Sequence, residues 1–95
     1  MIVILVSSIK EHPKVPALEQ MFSTAAAGQN ILLALNALGF GGIWRTGKFA
    51  LNKEIGSFLE LDDNQEVLGY LYIGTPAGDN KKIPQLDPKD FVKKL

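Results

Sequence analysis

The residues with the clearest capacity for chemistry are the ten from Leu38 to Gly47, LGFGGIWRTG. Four glycines fall within the nine residues 39–47 and are interleaved with an aromatic ring, a cation and a hydroxyl. Glycine accepts positive φ angles and lets a ligand approach the main chain without meeting a Cβ. Either a flat cofactor lying on bare backbone or a helix stop followed by a close-packed strand would explain the run.

Two side chains of this run and two lysines further along the chain each have a functional and a structural interpretation. Trp44 could stack on a ligand or fill the core, and Arg45 could hold an anion or form a surface ion pair. Lys81 and Lys82 could reach a phosphate or stay solvated. The glycines do not form a dinucleotide fingerprint, because that motif follows a strand and opens a helix, whereas these follow a predicted helix.

Other classes of catalytic site have little support. The chain has no cysteine and one histidine, His12, so disulfides and thiolate metal sites are excluded and zinc has no ligand set. His12 has no evident acid–base partner, and the serines lack a G-x-S-x-G setting. We therefore expect neither a metal nor a nucleophile with its base.

Composition limits the partners and the compartment. The formal net charge is zero, which removes the attraction that nucleic acid or an anionic membrane would need. Hydrophobic residues make up 46% of only 95 residues, a surplus that predicts burial against a second copy or a missing segment, with oligomerisation as the default expectation. The apolar opening Met1–Val6 has no basic flank or cleavage site, so it predicts a strand and favours a cytoplasmic protein.

Hydrophobic periodicity and turn residues predict five elements that would position these residues. They are a strand at 2–7, a long helix at about 16–38, an extended segment at 40–45, a short helix at 51–59 capped by Asn52, and a strand at 66–73. The tail from 77 to 95 is expected to be an extended C-terminal arm. The order predicts an α/β or α+β fold with too few strands to cover its sheet alone.

Local composition makes the expectations more specific. The first strand is typical of one covered on both faces, and the helix end Ile31–Leu35 is typical of a helix buried all round. Gly39 should end the helix in the left-handed conformation. At least one of Gly41 and Gly42 should have positive φ or touch neighbouring backbone. The small residues Ser23–Gly28 would let another helix or a ring system approach closely.

Two segments in order resemble a known family. They are ALGFGGIWRTG at 37–47 and VLGYLYIGTP at 67–76, preceded by Lys14-Val15-Pro16 and Glu19-Gln20. Together they resemble the C-terminal half of a nitroreductase-like flavoprotein, most closely one of the smallest single-domain bacterial members. The resemblance implies an α+β sheet-and-helix sandwich with a long central helix, of which residues 1–95 would be a single partial domain.

The resemblance also implies a function. Members are FMN-dependent oxidoreductases that take hydride from NAD(P)H on flavin N5 and reduce nitroaromatic or quinone-like acceptors, and they are homodimers with the flavin at the interface. On this chain it implies cofactor binding by two segments: Trp44, Arg45, Thr46 and Gly47 along the flavin, and Ala34, Leu35, Asn36, Ala37, Leu38 and Gly39 near the nicotinamide nucleotide.

The chain also departs from the family pattern. Members are roughly twice as long, and the Arg-Arg-Ser-type segment with which they grip the FMN phosphate has no match here. The alternative interpretation is therefore a non-catalytic fragment or dimerisation remnant of the same fold without bound cofactor.

Overall fold

The computed structural model describes residues 1–79 and 81–95. Its strands are β1 (Ile2–Ser8), β2 (Gly41–Arg45) and β3 (Gln65–Gly74), and its α-helices are α1 (Ala17–Ala37) and α2 (Lys53–Phe58). Single 3-10 turns lie at Gly47–Phe49 and Pro88–Asp90. The predicted order of strands and helices is confirmed, and the fold is α+β.

The three strands form one antiparallel sheet in the order β1-β3-β2. Leu5 pairs with Gly69 and Val6 pairs with Val67, which leaves Leu68 as an extra residue in β3. Such a bulge changes which face the following side chains occupy. Val67, only 2% exposed, accordingly lines a polar cavity beside α2 together with Asn52 and Gly56.

Helix α1 packs against β1 and β2 and builds the main core. Leu5 and Leu71 are buried, and the Ser7 hydroxyl donates to the Gln20 carbonyl oxygen at 3.4 Å. The opposite face of β1 is open, with Ile2 56% and Ile4 36% exposed. The expectation that β1 is covered on both faces is therefore wrong for this chain, because α2 is only six residues long and reaches part of that face.

The outer face of α1 is also uncovered. Leu18, Phe22 and Leu33 are more than half exposed, and Ala26 lies on the same stripe. Among the helix residues only Gly28 is buried. The prediction that Ile31–Leu35 is buried all round is wrong here, because the sheet covers one side of α1 and nothing in the described chain covers the other.

The loop between β1 and α1 is held by side chains of polar residues. Gln20 accepts from the Lys10 amide at 2.9 Å and donates to the carbonyl oxygens of Lys10 and Val15. His12 Nδ1 accepts from the amides of Lys14 and Val15 at 3.1 and 3.0 Å. The single histidine thus stabilises a turn.

The ends of the helices follow local rules with small shifts. Gly39 has φ +80° after α1, which confirms the left-handed stop. The Asn52 side chain accepts from the Glu54 amide at 2.9 Å, so α2 begins at Lys53 rather than at 51. Leu51 lies outside the helix at φ +58° and donates its amide to Val67 O.

The described residues beyond β3 are exposed. Over 77–79 and 81–95 the chain has no strand or α-helix, and Ile83, Leu86 and Phe91 are each at least two-thirds exposed. Lys81 and Lys82 are exposed as well. The role of 77–95 as a separate C-terminal arm stays a prediction.

Candidate functional site

A groove of about 650 Å³ opens where β2 ends and the chain turns toward α2. Its walls come from two sources, the end of β2 with the following turn, and the tyrosines of the adjacent strand β3. The lining residues are Ile43, Trp44, Arg45, Thr46, Gly47, Phe49, Tyr70 and Tyr72. The four residues predicted along the flavin are therefore brought together in one concave surface.

The turn beyond β2 presents unpaired backbone donors at this groove. Within residues 1–79 and 81–95, the amides of Thr46 and Gly47 donate to no backbone or side-chain acceptor, and both residues are exposed. Gly47 has φ +55°, where a side chain would strain the backbone. Free N–H groups in a concave site can stabilise negative charge on a ligand.

The turn is attached to β3 by a tyrosine. Arg45 pairs with Tyr70 in the sheet register, and the Tyr70 hydroxyl donates to Phe49 O at 3.1 Å. This bond spans the turn that contains Thr46 and Gly47, so it fixes the far end of the turn relative to the strand.

Trp44 lines the groove, but its side chain lies on the opposite face of the sheet from Tyr70 and Tyr72. Its indole is half-buried on the α1 side of the sheet, next to two glycines. A Cβ on Gly28 of α1 would lie 2.6 Å from Trp44 Cζ3, and one on Gly69 of β3 would overlap Trp44 Nε1. We call the space between Gly28 and Gly69 the indole slot. Of the two predicted roles of Trp44, the structure shows packing in the core.

The second predicted segment lies at the other end of β2. Ala34 to Ala37 form the last turn of α1, and Leu38 and Gly39 end it. Asn36 and Gly39 line a separate cavity of about 340 Å³ with Leu32, Phe40, Gly41, Gly42 and Pro76. Because β2 runs from Gly41 to Arg45, about 13 Å of strand separates the two segments, and they do not share one pocket.

The glycine pair in β2 serves packing. Neither Gly41 nor Gly42 has positive φ, which corrects one part of the expectation. A Cβ on Gly42 would lie 2.7 Å from Leu32 Cδ2 and 3.1 Å from Leu35 Cδ1. A Cβ on Gly41 would make only ordinary contacts, the nearest with Pro76 Cγ at 3.5 Å. Gly42 therefore allows α1 to lie close to the strand, and the close neighbours are side chains rather than backbone.

Sequence reasoning missed three aromatic residues of the groove, Phe49, Tyr70 and Tyr72. The alternation Gly69-Tyr70-Leu71-Tyr72 was a usable signal, since side chains two apart on a strand share a face. The sequence does not indicate which strand lies beside β3. The pairing of β3 with β2 decides that this face borders the turn after Arg45.

The part of the chain that the structure describes, residues 1–79 and 81–95, contains no group of three or more His, Cys, Asp or Glu residues suited to a metal ion. It also contains no helix long and apolar enough to cross a lipid bilayer.

Comparison with known proteins gives a consistent result. The profile described as "Nitroreductase family" matches residues 1–75. A protein of Escherichia coli K12 named "Putative NAD(P)H nitroreductase YdjA" is 34% identical, over 97% of this chain and 51% of its own length. A "Putative NAD(P)H nitroreductase" of Haemophilus influenzae is 31% identical over 83% of this chain and 44% of its own length. The chain thus spans about half the length of these relatives.

Solved structures show the same fold. A nitroreductase-like family protein from Bacillus cereus superimposes with a TM-score of 0.80 over 99% of this chain and 50% of its own, at 18% identity. The NADPH:FMN oxidoreductase of Vibrio harveyi, solved with NAD+, gives a TM-score of 0.69 at 26% identity, over 81% of this chain and 34% of its own. With the profile covering most of its length, this chain belongs to the nitroreductase family.

Proposed function

We propose that this chain forms part of an FMN-dependent NAD(P)H oxidoreductase that reduces nitroaromatic or quinone-like acceptors. The observation that carries the proposal is the groove at the end of β2, which is lined by Thr46 and Gly47, whose amides donate to no acceptor in the described chain. Family membership and the Vibrio harveyi relative, whose name includes FMN and NADPH, support the choice of cofactor and reductant.

The groove suits a flavin ring in size and chemistry. A volume of about 650 Å³ falls within the range of small-molecule sites. Ile43, Tyr72 and Phe49 offer apolar and aromatic surface, and each is close to half exposed. Gly47 keeps one wall free of side-chain bulk. A planar ring can therefore lie against this surface while its polar edge meets backbone donors.

The fit is weaker for the phosphate. Arg45 and Lys48 are the cations of the segment that forms the groove, and Lys48 Nζ already lies 5.2 Å from the centre of the Phe49 ring. Phosphate groups in proteins are commonly held by several charge-assisted hydrogen bonds. We expect this chain to hold the ring better than the phosphate.

When bound, FMN supplies the two-electron carrier between NAD(P)H and the acceptor. The contribution of this chain is electrostatic and positional: the amides of Thr46 and Gly47 would donate toward the N5/O4 edge and stabilise negative charge that accumulates there. Arg45 would add a positive charge at the mouth of the groove. The aromatic side chains would limit water beside the reacting edge.

The remaining assignments belong to the same proposal. Ala34, Leu35, Asn36, Ala37, Leu38 and Gly39 would border the nicotinamide nucleotide, where Asn36 offers the polar side chain. The working form would be a cytoplasmic homodimer with flavin at the interface.

Titration of FMN into the purified chain tests the proposal. Binding should induce a visible-region circular dichroism band, because a flavin gains a chiral environment when its ring is fixed in a groove. Gly47→Ala should weaken binding about tenfold or more, since alanine strains the backbone at φ +55°. Gly78→Ala, where a Cβ meets nothing within 4 Å, is the matched control. An absence of the band at saturating FMN would instead favour the cofactor-free remnant.

A further inference from the structure

We propose that Trp44 is a positioning residue for the flavin groove, and that it acts through the indole slot rather than by stacking on the cofactor. The inference rests on the proposed function for its ligand. Its structural part, that the slot sets the conformation of the turn after β2, stands on the packing of Trp44 alone.

The slot is built from both layers of the fold. On the helix side, a Cβ on Gly28 would lie 2.6 Å from Trp44 Cζ3 and 2.7 Å from Leu5 Cδ1. On the sheet side, a Cβ on Gly69 would overlap Trp44 Nε1 and lie 2.9 Å from Trp44 Cε2. Both glycines are buried, so the indole is in contact at two separate edges. A rigid ring held in this way has little freedom to rotate about its Cα–Cβ bond.

The restraint on the Trp44 ring also restrains the backbone that lines the groove. Arg45 follows Trp44 in the chain, and a Cβ on Gly69 would also come within 3.1 Å of Arg45 O. Thr46 and Gly47 come next and make no amide hydrogen bond of their own in the described chain. The turn is held by Trp44 before it, by the Ala50 amide, which donates to Thr46 O, and by the Tyr70–Phe49 hydrogen bond after it.

The same packing argues against stacking on a flavin. Trp44 lies on the α1 side of the sheet with Leu5, whereas its strand neighbours Ile43 and Arg45 point to the other face, as alternation requires. The indole contacts two buried glycines on that side, whereas Tyr70 and Tyr72, which line the groove, lie on the other face of the sheet. Trp44 therefore acts on the ligand by placing the backbone that follows it.

The experiment compares three single variants and one double variant of the full chain. Gly69→Ala pushes a methyl group into the slot, and Trp44→Phe places a smaller ring in it. Val67→Ala is the control, because Val67 is buried beside α2 and does not line the slot. Three properties are measured: melting temperature, the amide ¹H–¹⁵N shifts of Thr46 and Gly47 without ligand, and FMN affinity. Trp44 is the one tryptophan, so its emission reports the slot in Gly69→Ala and Val67→Ala.

We expect Gly69→Ala to shift the tryptophan emission to longer wavelength and to move the Thr46 and Gly47 amide signals. FMN affinity should fall about tenfold or more, since a displaced donor loses its hydrogen-bond geometry. Val67→Ala should lower the melting temperature without either effect. The double variant Gly69→Ala with Trp44→Phe should recover part of the affinity, because the smaller ring leaves room for the methyl group.

Two results would overturn the inference: a folded Gly69→Ala with unmoved Thr46 and Gly47 signals, or a loss of FMN affinity in Val67→Ala equal to that in Gly69→Ala. If the unmodified chain binds no FMN, the proposed function fails for this chain. The amide shifts, which need no ligand, still decide whether the slot positions the turn.

Discussion

Gly28 and Gly56 show how the same residue type has opposite consequences in two helices. Gly28 is buried where α1 meets Trp44 and Leu5, while a Cβ on Gly56 in α2 would meet nothing within 4 Å. A methyl group at Gly28 must displace a rigid ring. At Gly56 it would only reduce the conformational entropy of the unfolded chain.

Gly28→Ala is therefore expected to lower the free energy of unfolding by about 1–3 kcal/mol through overpacking. Gly56→Ala should raise it by about 0.5–1 kcal/mol. Urea denaturation of both variants measures the two effects. Equal stability of the two variants would show that contact with the indole does not control position 28.

Gly42 and Gly41 form a second pair at the residue scale. We expect Gly42→Ala to destabilise the chain by about 1 kcal/mol, since its methyl group must move Leu32 and Leu35. Gly41→Ala should be within about 0.5 kcal/mol of the parent, because its contacts are ordinary. Thermal melts of both variants test this split, and equal melting temperatures would contradict it.

At the scale of elements, α2 depends on its N-cap residue, Asn52. The helix has six residues, too few to be stable alone, and Asn52 satisfies one of its free amides. Asn52→Ala should lower the free energy of unfolding by about 1 kcal/mol, whereas Asn52→Asp, which keeps the acceptor, should change it little. Amide exchange along Lys53–Phe58 should rise in the alanine variant alone. Unchanged exchange would mean that tertiary contacts hold the helix without its cap.

The long helix α1 has an exposed face that could mediate association between copies of the chain. Leu18, Phe22, Ala26 and Leu33 form an exposed apolar stripe on the side of α1 away from the sheet. Apolar stripes of this kind on an amphipathic helix usually pack against another element. The small side chain of Ala26 near the middle would allow close approach.

We therefore predict a dimer that Ala26→Trp disrupts. Because Ala26 is exposed in the single chain, the substitution should leave the monomer fold intact and act on association alone. Lys53→Trp, an equally bulky change at an exposed position of α2, is the control. Sedimentation equilibrium gives the result, and a monomeric parent chain would refute the prediction.

At the scale of the whole molecule, the chain spans 51% of its Escherichia coli relative and leaves two apolar surfaces open. One is the outer stripe of α1 and the other is the sheet face with Ile2, Ile4 and Tyr72. A flavin site that relies on this chain alone would have a wall for the ring and few charges for the phosphate.

We accordingly predict that the 95-residue chain binds FMN weakly. Loss of two charge-assisted hydrogen bonds to the phosphate would raise the dissociation constant by about two to four orders of magnitude. Co-expression with the half of the Escherichia coli relative that this chain does not match should strengthen binding. Flavin fluorescence measures both, and tight stoichiometric binding by the chain alone would contradict the argument.

Much of the fold could be read from local sequence. Period-two and helical patterns placed all three strands and both α-helices, with Gly39 and Asn52 acting as the expected stop and cap. These features depend on interactions within a few residues, so their signals lie in neighbouring positions of the chain. The segment Trp44–Gly47 also stands out in the sequence, because the glycines and the change of residue type are contiguous, and its role in a flavin site stays a prediction.

The tertiary structure decided what no local signal carries. The pairing of β3 with both β1 and β2 brings Tyr70 and Tyr72 to the groove, and the bulge at Leu68 turns Val67 toward α2. Gly69 of β3 leaves room for a tryptophan 25 positions earlier in the chain, which no neighbouring residue indicates. Which faces stay open also depends on non-local packing, because burial of a side chain is a property of the elements that lie across from it.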